Sequence, residues 1–208
     1  MQIGILGSGN IGASAARVFA RAGHHVRIAN SRGPESLGSV IAEIGPNAEA
    51  STAQDAVDAS DLVLIAVPWT KREEALGEIE GWDEKIVVDA MNPYTEDFEI
   101  EDLGSKTATE FTRALVPGAR VVKAFNTLFY KRLASEGKPK GAPDRLAIPV
   151  ASDDPAAKRV VMDLIEEVGF DAVDNGGLIE GGRKQQPGSP IYNQPLGAKE
   201  MRDQLARA

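Results

Sequence analysis

Short apolar runs alternate along the chain with stretches whose apolar residues recur every three to four positions, the two periods of strand and helix. Ile3-Gly4-Ile5-Leu6 precedes a helical pattern over 10–22, and an apolar strand over 26–29 follows. Helical patterns over 36–44 and 54–59 then flank a short edge strand over 48–50. Leu62-Val63-Leu64-Ile65-Ala66-Val67 is apolar at every position, as expected of a strand buried on both faces. It stops at Pro68, and the spacing predicts a helix over 69–79, a strand over 85–90, a helix over 109–115 and a strand over 120–124. Residues 95–106 are acidic and poorly periodic, which reads as a surface excursion. Pro149 confines a strand over 146–150 to an edge or a bulge. Asp154 as cap and Pro155 at the first helical position open a strong amphipathic helix over 155–168. A strand over 170–173 closes the regular region, and a glycine- and proline-rich tail ends in a short charged helix. The alternation predicts an α/β fold: a Rossmann-type, doubly wound, mostly parallel sheet covered on both faces, with a small C-terminal elaboration.

With 208 residues, the chain is long enough for one sizeable core and short for two. Its net charge of −8 argues against general affinity for nucleic acid or membrane surfaces. The chain contains no cysteine, which excludes disulfides, thiol catalysis, Fe–S clusters and thiolate zinc sites, and no metal site is expected. Without a charged leader or an 18-residue apolar run, the expectation is a soluble, cytoplasmic protein.

The chemistry begins at the first loop. Gly7-Ser8-Gly9-Asn10-Ile11-Gly12 leaves the first strand and opens the first helix, the spacing of a dinucleotide-binding turn. The first glycine allows the tight turn, the second lets the backbone approach a pyrophosphate, and the third lets helix and sheet pack closely. The helix then aims its free N–H groups and positive dipole end at the phosphates. An NAD site places a carboxylate about 20 residues further on, at the ribose 2′-hydroxyl. Here the second strand ends in Asn30-Ser31-Arg32 instead. A carboxylate would repel a 2′-phosphate, whereas the Ser31 hydroxyl and the Arg32 guanidinium would bind it, so the site reads as selective for NADP(H).

In an open α/β sheet, ligands bind beyond the carboxyl ends of the strands. Three further loops leave strands on that side: Val67-Pro68-Trp69, Met91-Asn92-Pro93 and Phe125-Asn126-Thr127. They offer the flat apolar wall and the amide and hydroxyl partners that a nicotinamide needs. Trp69 has two readings, a ring-stacking wall or a core residue. Hydride transfer needs alignment and water exclusion more than a protein acid or base, so no catalytic side chain is assigned. His24 and His25, the two histidines of the chain, fall in the turn before the second strand and read as structural. An acceptor that takes hydride without a histidine, such as a deazaflavin, suits the site better than a simple ketone. Residues 131–145 carry a net charge of +3 from Lys131, Arg132, Lys138, Lys140 and Arg145 against Glu136 and Asp144. That window is either a solvated loop or a receiver for an anionic tail on the second substrate.

The chain resembles the family of NADPH-dependent deazaflavin (coenzyme F420) oxidoreductases in the order and spacing of Ile5-Leu6-Gly7-Ser8-Gly9-Asn10-Ile11-Gly12, Asn30-Ser31-Arg32, Val67-Pro68-Trp69 and Ala151-Ser152-Asp153-Asp154. The similarity runs over about residues 1 to 176. It implies a homodimer, an NADP-binding domain over 1–180, and direct hydride transfer between NADPH and coenzyme F420 as co-substrate. Phe125-Asn126-Thr127-Leu128 is also similar to the matching loop in the reductase domain of transmembrane ferric reductases. The family closes with apolar helical material, whereas residues 181–208 here are polar and rich in glycine and proline. They are expected to form a substrate lid, through Arg183, Pro190, Ile191 and Tyr192, or a dimer arm. Two alternatives stay open: an NADPH-dependent reductase of a flavin, quinone or iron chelate, and a non-enzymatic NADPH-binding sensor.

Overall fold

Alternating side chains let each strand feed two layers at once. In the computed structural model, which describes residues 1–207, six parallel strands form one sheet in the order β3-β2-β1-β4-β5-β6. These are β1 (Gln2–Leu6), β2 (His25–Ala29), β3 (Ala48–Ala50), β4 (Leu62–Ile65), β5 (Ile86–Asp89) and β6 (Arg120–Lys123). In β4, Leu62 and Leu64 join the core on one face, and Val63 and Ile65 join the core on the other. On the first face lie α1 (Asn10–Arg21) and α7 (Pro155–Glu167), with Phe19 meeting Phe125 edge to face at 5.6 Å. On the second lie α3 (Ala53–Asp58) and α5 (Ala108–Leu115), with Trp82 among the largest fully buried side chains.

The final strands, β7 (Ala147–Val150) and β8 (Asp171–Asp174), form a parallel pair of their own. An antiparallel bridge between Lys123 and Ala151 attaches this pair to the β6 edge. Pro149, which cannot donate to a ladder, accordingly sits in a strand with β8 as its one full partner, as its sequence predicts.

Several expected elements differ in extent. The helix expected over 36–44 is a 3-10 turn, Pro34–Leu37, continued by α2 (Gly38–Ile44). The helix expected over 69–79 is a 3-10 turn, Trp69–Lys71, followed by the short α4 (Arg72–Leu76). The start of the basic window is helical: α6 (Tyr130–Ser135) buries Leu133 and packs on α1. The tail is ordered into α8 (Leu178–Lys184) and α9 (Ala198–Leu205). Gly181 and Gly182 concealed α8 from propensity. A Cβ at Gly181 would stand 2.1 Å from the Asn175 carbonyl oxygen, so the helix lies too close to the β8 end for any side chain. The 180/181 boundary therefore falls inside a helix. Ile191, Met201 and Leu205 then join Ala147 and Val173 in a third small core, so the polar composition of 181–207 does not leave it a loose arm.

Candidate active-site cleft

The carboxyl ends of β1, β2, β4 and β5 open into a cleft of about 990 Å³, at the upper end of the range for small-molecule sites. Its floor is the first glycine loop. Gly7 takes φ +107°, and a Cβ there would meet the Ala66 carbonyl oxygen at 2.4 Å. A Cβ at Gly12 would lie 1.8 Å from the Gly7 oxygen, so this residue stays behind the loop and lets α1 close on β1. Gly9 faces open space and lines the cleft with Ser8, Asn10 and Ile11. A cradle bare of side chains at the N-terminus of a 12-residue helix fits a pyrophosphate.

Asn30 occupies the place of the usual carboxylate. Its Nδ2 donates to the hydroxyls of Ser8 (3.1 Å) and Ser36 (3.0 Å), and its Oδ1 accepts from the Arg32 backbone N–H (2.9 Å). One amide thus ties the phosphate loop to the loop after β2. Ser31 and Arg32 line the cleft and are exposed, and among the described residues no carboxylate pairs with the Arg32 guanidinium. A free cation beside an anion cradle fits a ribose 2′-phosphate.

After β4, Val67, Pro68 and Trp69 line the cleft. Trp69 is 2% exposed, with the Arg72 guanidinium 3.9 Å from its ring centroid and Phe111 edge-on at 5.9 Å. Its indole N–H donates to Glu101 Oε2 at 2.6 Å. Trp69 is therefore chiefly a packed anchor, which holds the segment after β5 beside the cleft.

Asn92 also lines the cleft, but Pro93, Phe125, Asn126 and Thr127 are not brought to its surface. They stand behind it. Asn92 Nδ2 donates to the Asn126 carbonyl (2.9 Å), and Asn126 Nδ2 donates to Asn92 Oδ1 (3.0 Å) and to the Gln185 carbonyl (2.8 Å). Thr127 accepts through its carbonyl from the Asn193 N–H at 2.8 Å, and Phe125, at φ +64°, is buried in the core. Beneath this wall Lys123 Nζ lies 3.1 Å from Asp89 Oδ2 and donates to the Met91 carbonyl at 2.6 Å. The pair is buried, and desolvation lowers the Lys123 pKa. Sequence reasoning missed it because Asp89 and Lys123 each look like polar ends of an apolar strand.

It also missed the cleft residues Tyr94, Thr95, Glu96 and Phe98, at the start of the segment after β5. Tyr94 and Ile100 pair as an antiparallel bridge, so this stretch is a small hairpin over the cleft. Tyr94 directly after Asn92-Pro93 was the one available signal.

Neither histidine lines the cleft. His24 Nδ1 lies 3.3 Å from the terminal amino group and Nε2 3.1 Å from Glu167, while His25 begins β2. The basic window does not reach the cleft. Arg145 is buried, with NH1 2.7 Å from both Glu166 Oε2 and Asp171 Oδ1, and Arg132 pairs with Glu136 at 2.8 Å. The Arg145 charge is taken up in holding the β7–β8 unit, and no residue of the window lines the cleft. Among the described residues no cluster could hold a metal ion, and no helix is long and apolar enough to cross a membrane.

Sheet order and glycine cradle define a Rossmann-type protein of the dinucleotide-binding class. Comparison with known proteins narrows this class. The model of the family described as NADP oxidoreductase, coenzyme F420-dependent, matches residues 2–93. The hypothetical protein SMa0349 of Sinorhizobium meliloti is 38% identical, with 94% of this chain and 95% of that one covered at a TM-score of 0.86. A provisionally assigned F420-dependent NADP-reductase from Arthrobacter sp. FB24 is 27% identical, with 86% of each chain covered at a TM-score of 0.73. The Escherichia coli (strain K12) protein YjhV is 48% identical over 54 residues, a match spanning 26% of this chain and 39% of YjhV. Over residues 2–93 the chain is similar to the coenzyme F420-dependent NADP oxidoreductase family, and its whole length follows the fold of these solved structures.

Proposed function

We propose that this protein is an NADPH-dependent oxidoreductase that transfers a hydride between NADP(H) and coenzyme F420 or a similar planar acceptor. The observation that carries this reading is the continuity of the cleft. It runs from the free Arg32 cation, over the bare Gly9 backbone, to the apolar and amide-bearing wall at Trp69 and Asn92. The family-model match over residues 2–93 supports the cofactor assignment.

Bound NADPH supplies the hydride. The chain's own residues bind and align. The first N–H groups of α1 hold the pyrophosphate, and Ser31 and Arg32 hold the 2′-phosphate. Asn92, clamped by Asn126, presents an amide to the nicotinamide end, and Trp69 with Met91 excludes water from it. Such alignment and desolvation supply much of the rate in hydride transfer. The same reading takes the protein as a cytoplasmic homodimer, for which light scattering on the eluted peak is the measure.

Anaerobic stopped-flow absorbance with NADPH, offering oxidised coenzyme F420 and in parallel FMN, tests the function. Bleaching of the deazaflavin is the expected result. NADPH binding without oxidation by either acceptor would set aside the deazaflavin and leave the cofactor site standing.

A further inference from the structure

The hairpin after β5 gives the acceptor end of the cleft a chemistry of its own. Phe98 lines the cleft mouth yet is 83% exposed, held there at φ +61°. A large ring displayed to water beside a ligand site gains by burial against a second flat ring. Four charged residues line the cleft, and their positions differ. Arg32 follows β2, Lys71 and Glu74 pair with each other after β4 at 3.4 Å, and Glu96 stands alone on the β5 side. The acceptor end thus carries one carboxylate and no cation of its own, a poor host for a polyanionic tail, and no residue of the basic window lines it.

The same hairpin brings a proton donor that the sequence did not reveal. The Tyr94 hydroxyl lies 3.2 Å from that of Tyr192, contributed by the C-terminal segment, with the rings edge to face at 6.5 Å. The neighbouring Ile191 is buried in the third core, and the Asn193 N–H bonds the Thr127 carbonyl, so Tyr192 is held from both sides. Burial and the Tyr94 contact push the Tyr192 phenol above the usual tyrosine range. The Tyr94 hydroxyl donates to that of Tyr192, and rotation about its C–O bond turns the same proton into the cleft, which Tyr94 lines.

Building on the oxidoreductase reading above, we propose that the second substrate is an uncharged conjugated carbonyl compound of quinone type, stacked on Phe98 and protonated on its oxygen by Tyr94. NADPH gives up a hydrogen with its electron pair and is oxidised to NADP+, and the acceptor is reduced. The Tyr94 O–H bond breaks as the O–H bond of the reduced acceptor forms. Tyr192 stabilises the Tyr94 phenolate and positions it, and solvent returns the proton.

The test uses 9,10-phenanthrenequinone as the probe, with wild type, Tyr94→Phe, Tyr192→Phe and Phe98→Ala. Nicotinamide fluorescence reads NADPH affinity, tryptophan quenching reads quinone binding, and absorbance with its solvent deuterium effect reads turnover. Wild type is expected to reduce the quinone faster than coenzyme F420. Tyr94→Phe should lower kcat by about 100-fold or more, the usual worth of general acid catalysis, with NADPH affinity unchanged. Tyr192→Phe should lower kcat more than it raises KM and alter the solvent isotope effect. Phe98→Ala should weaken quinone binding by roughly two- to tenfold, the scale of one aromatic pair. An unchanged kcat in Tyr94→Phe overturns the donor role. Reduction of coenzyme F420 with no binding or reduction of the quinone overturns the substrate class and keeps the oxidoreductase. Failure of wild type to bind NADPH overturns the oxidoreductase reading, and this inference with it.

Discussion

Lys123→Met is the most incisive perturbation of the cleft's support, because it removes one member of a fully buried pair. The Lys123 and Asp89 side chains are 1% and 0% exposed. Asp89 Oδ1 accepts from the Met91 N–H at 3.0 Å, and Oδ2 accepts from the Thr112 hydroxyl at 3.0 Å. Without the ammonium, a buried carboxylate keeps two neutral donors, and the Met91 carbonyl loses its 2.6 Å partner. Leaving one buried charge uncompensated costs about 3 to 5 kcal/mol. At roughly 2 to 4 °C per kcal/mol for a chain of this size, Tm should fall by about 6 to 20 °C. The double variant Asp89→Leu/Lys123→Met removes both charges and leaves the Met91 N–H and carbonyl unpaired, while Thr112 keeps the Ala108 carbonyl, a penalty of roughly 1 to 3 kcal/mol. It should therefore be more stable than Lys123→Met alone. Urea unfolding followed by circular dichroism measures all four corners of the cycle. A single variant costing below about 1 kcal/mol, or a double variant that costs the sum of the singles, would refute the reasoning.

Three further outcomes are expected. Arg32→Ala should weaken NADPH binding by roughly 1.5 to 3 kcal/mol, toward the lower figure because the site is solvated, while barely affecting NADH; equal losses in titrations with both nucleotides would refute the 2′-phosphate assignment. Gly12→Ala puts a Cβ 1.8 Å from the Gly7 oxygen and must displace the loop or the helix, so NADPH binding should be lost together with about 1 to 3 kcal/mol of stability, as calorimetry with and without nucleotide would read. Asp154 caps α7 through the Ala156 and Ala157 N–H groups, and the Arg120 guanidinium holds its carboxyl well below the usual carboxylate range. A depressed folded-state pKa stabilises fully above the unfolded value and is lost as pH falls through the folded one. The stability advantage of wild type over Asp154→Asn should therefore hold from pH 7 down to about 5 and shrink below about 4; an advantage undiminished at pH 2 would count against the assignment.

Local rules carried much of this molecule. The run Ile3 to Gly12 already specified strand, turn and helix, because a Gly7 turn, an open Gly9 and a close Gly12 are demands of backbone geometry within ten residues. Asn30-Ser31-Arg32 likewise showed in the sequence that the loop after β2 carries a cation and no carboxylate, since sign of charge is read directly from residue type. The apolar runs over 62–67 and 85–90 likewise announced central strands, because a strand buried on both faces has no room for polar alternation.

The tertiary structure decided what depends on distant neighbours. Arg145 looked like a free cation and is a buried tie, because Glu166 and Asp171 arrive from other elements. Gly181 argues against a helix until the approach of Asn175 and Ala151 makes a glycine necessary there. Asn126, chosen as a cofactor contact, became the brace of Asn92 because β6 lies one strand beyond β5, with its loop set behind the wall. Tyr94 and Tyr192 are 98 residues apart and meet only when the third core seats the C-terminal segment beside the hairpin. Residue type and short spacing encode backbone geometry and charge, whereas burial, pairing and the far wall of the cleft are properties of surfaces brought together by folding.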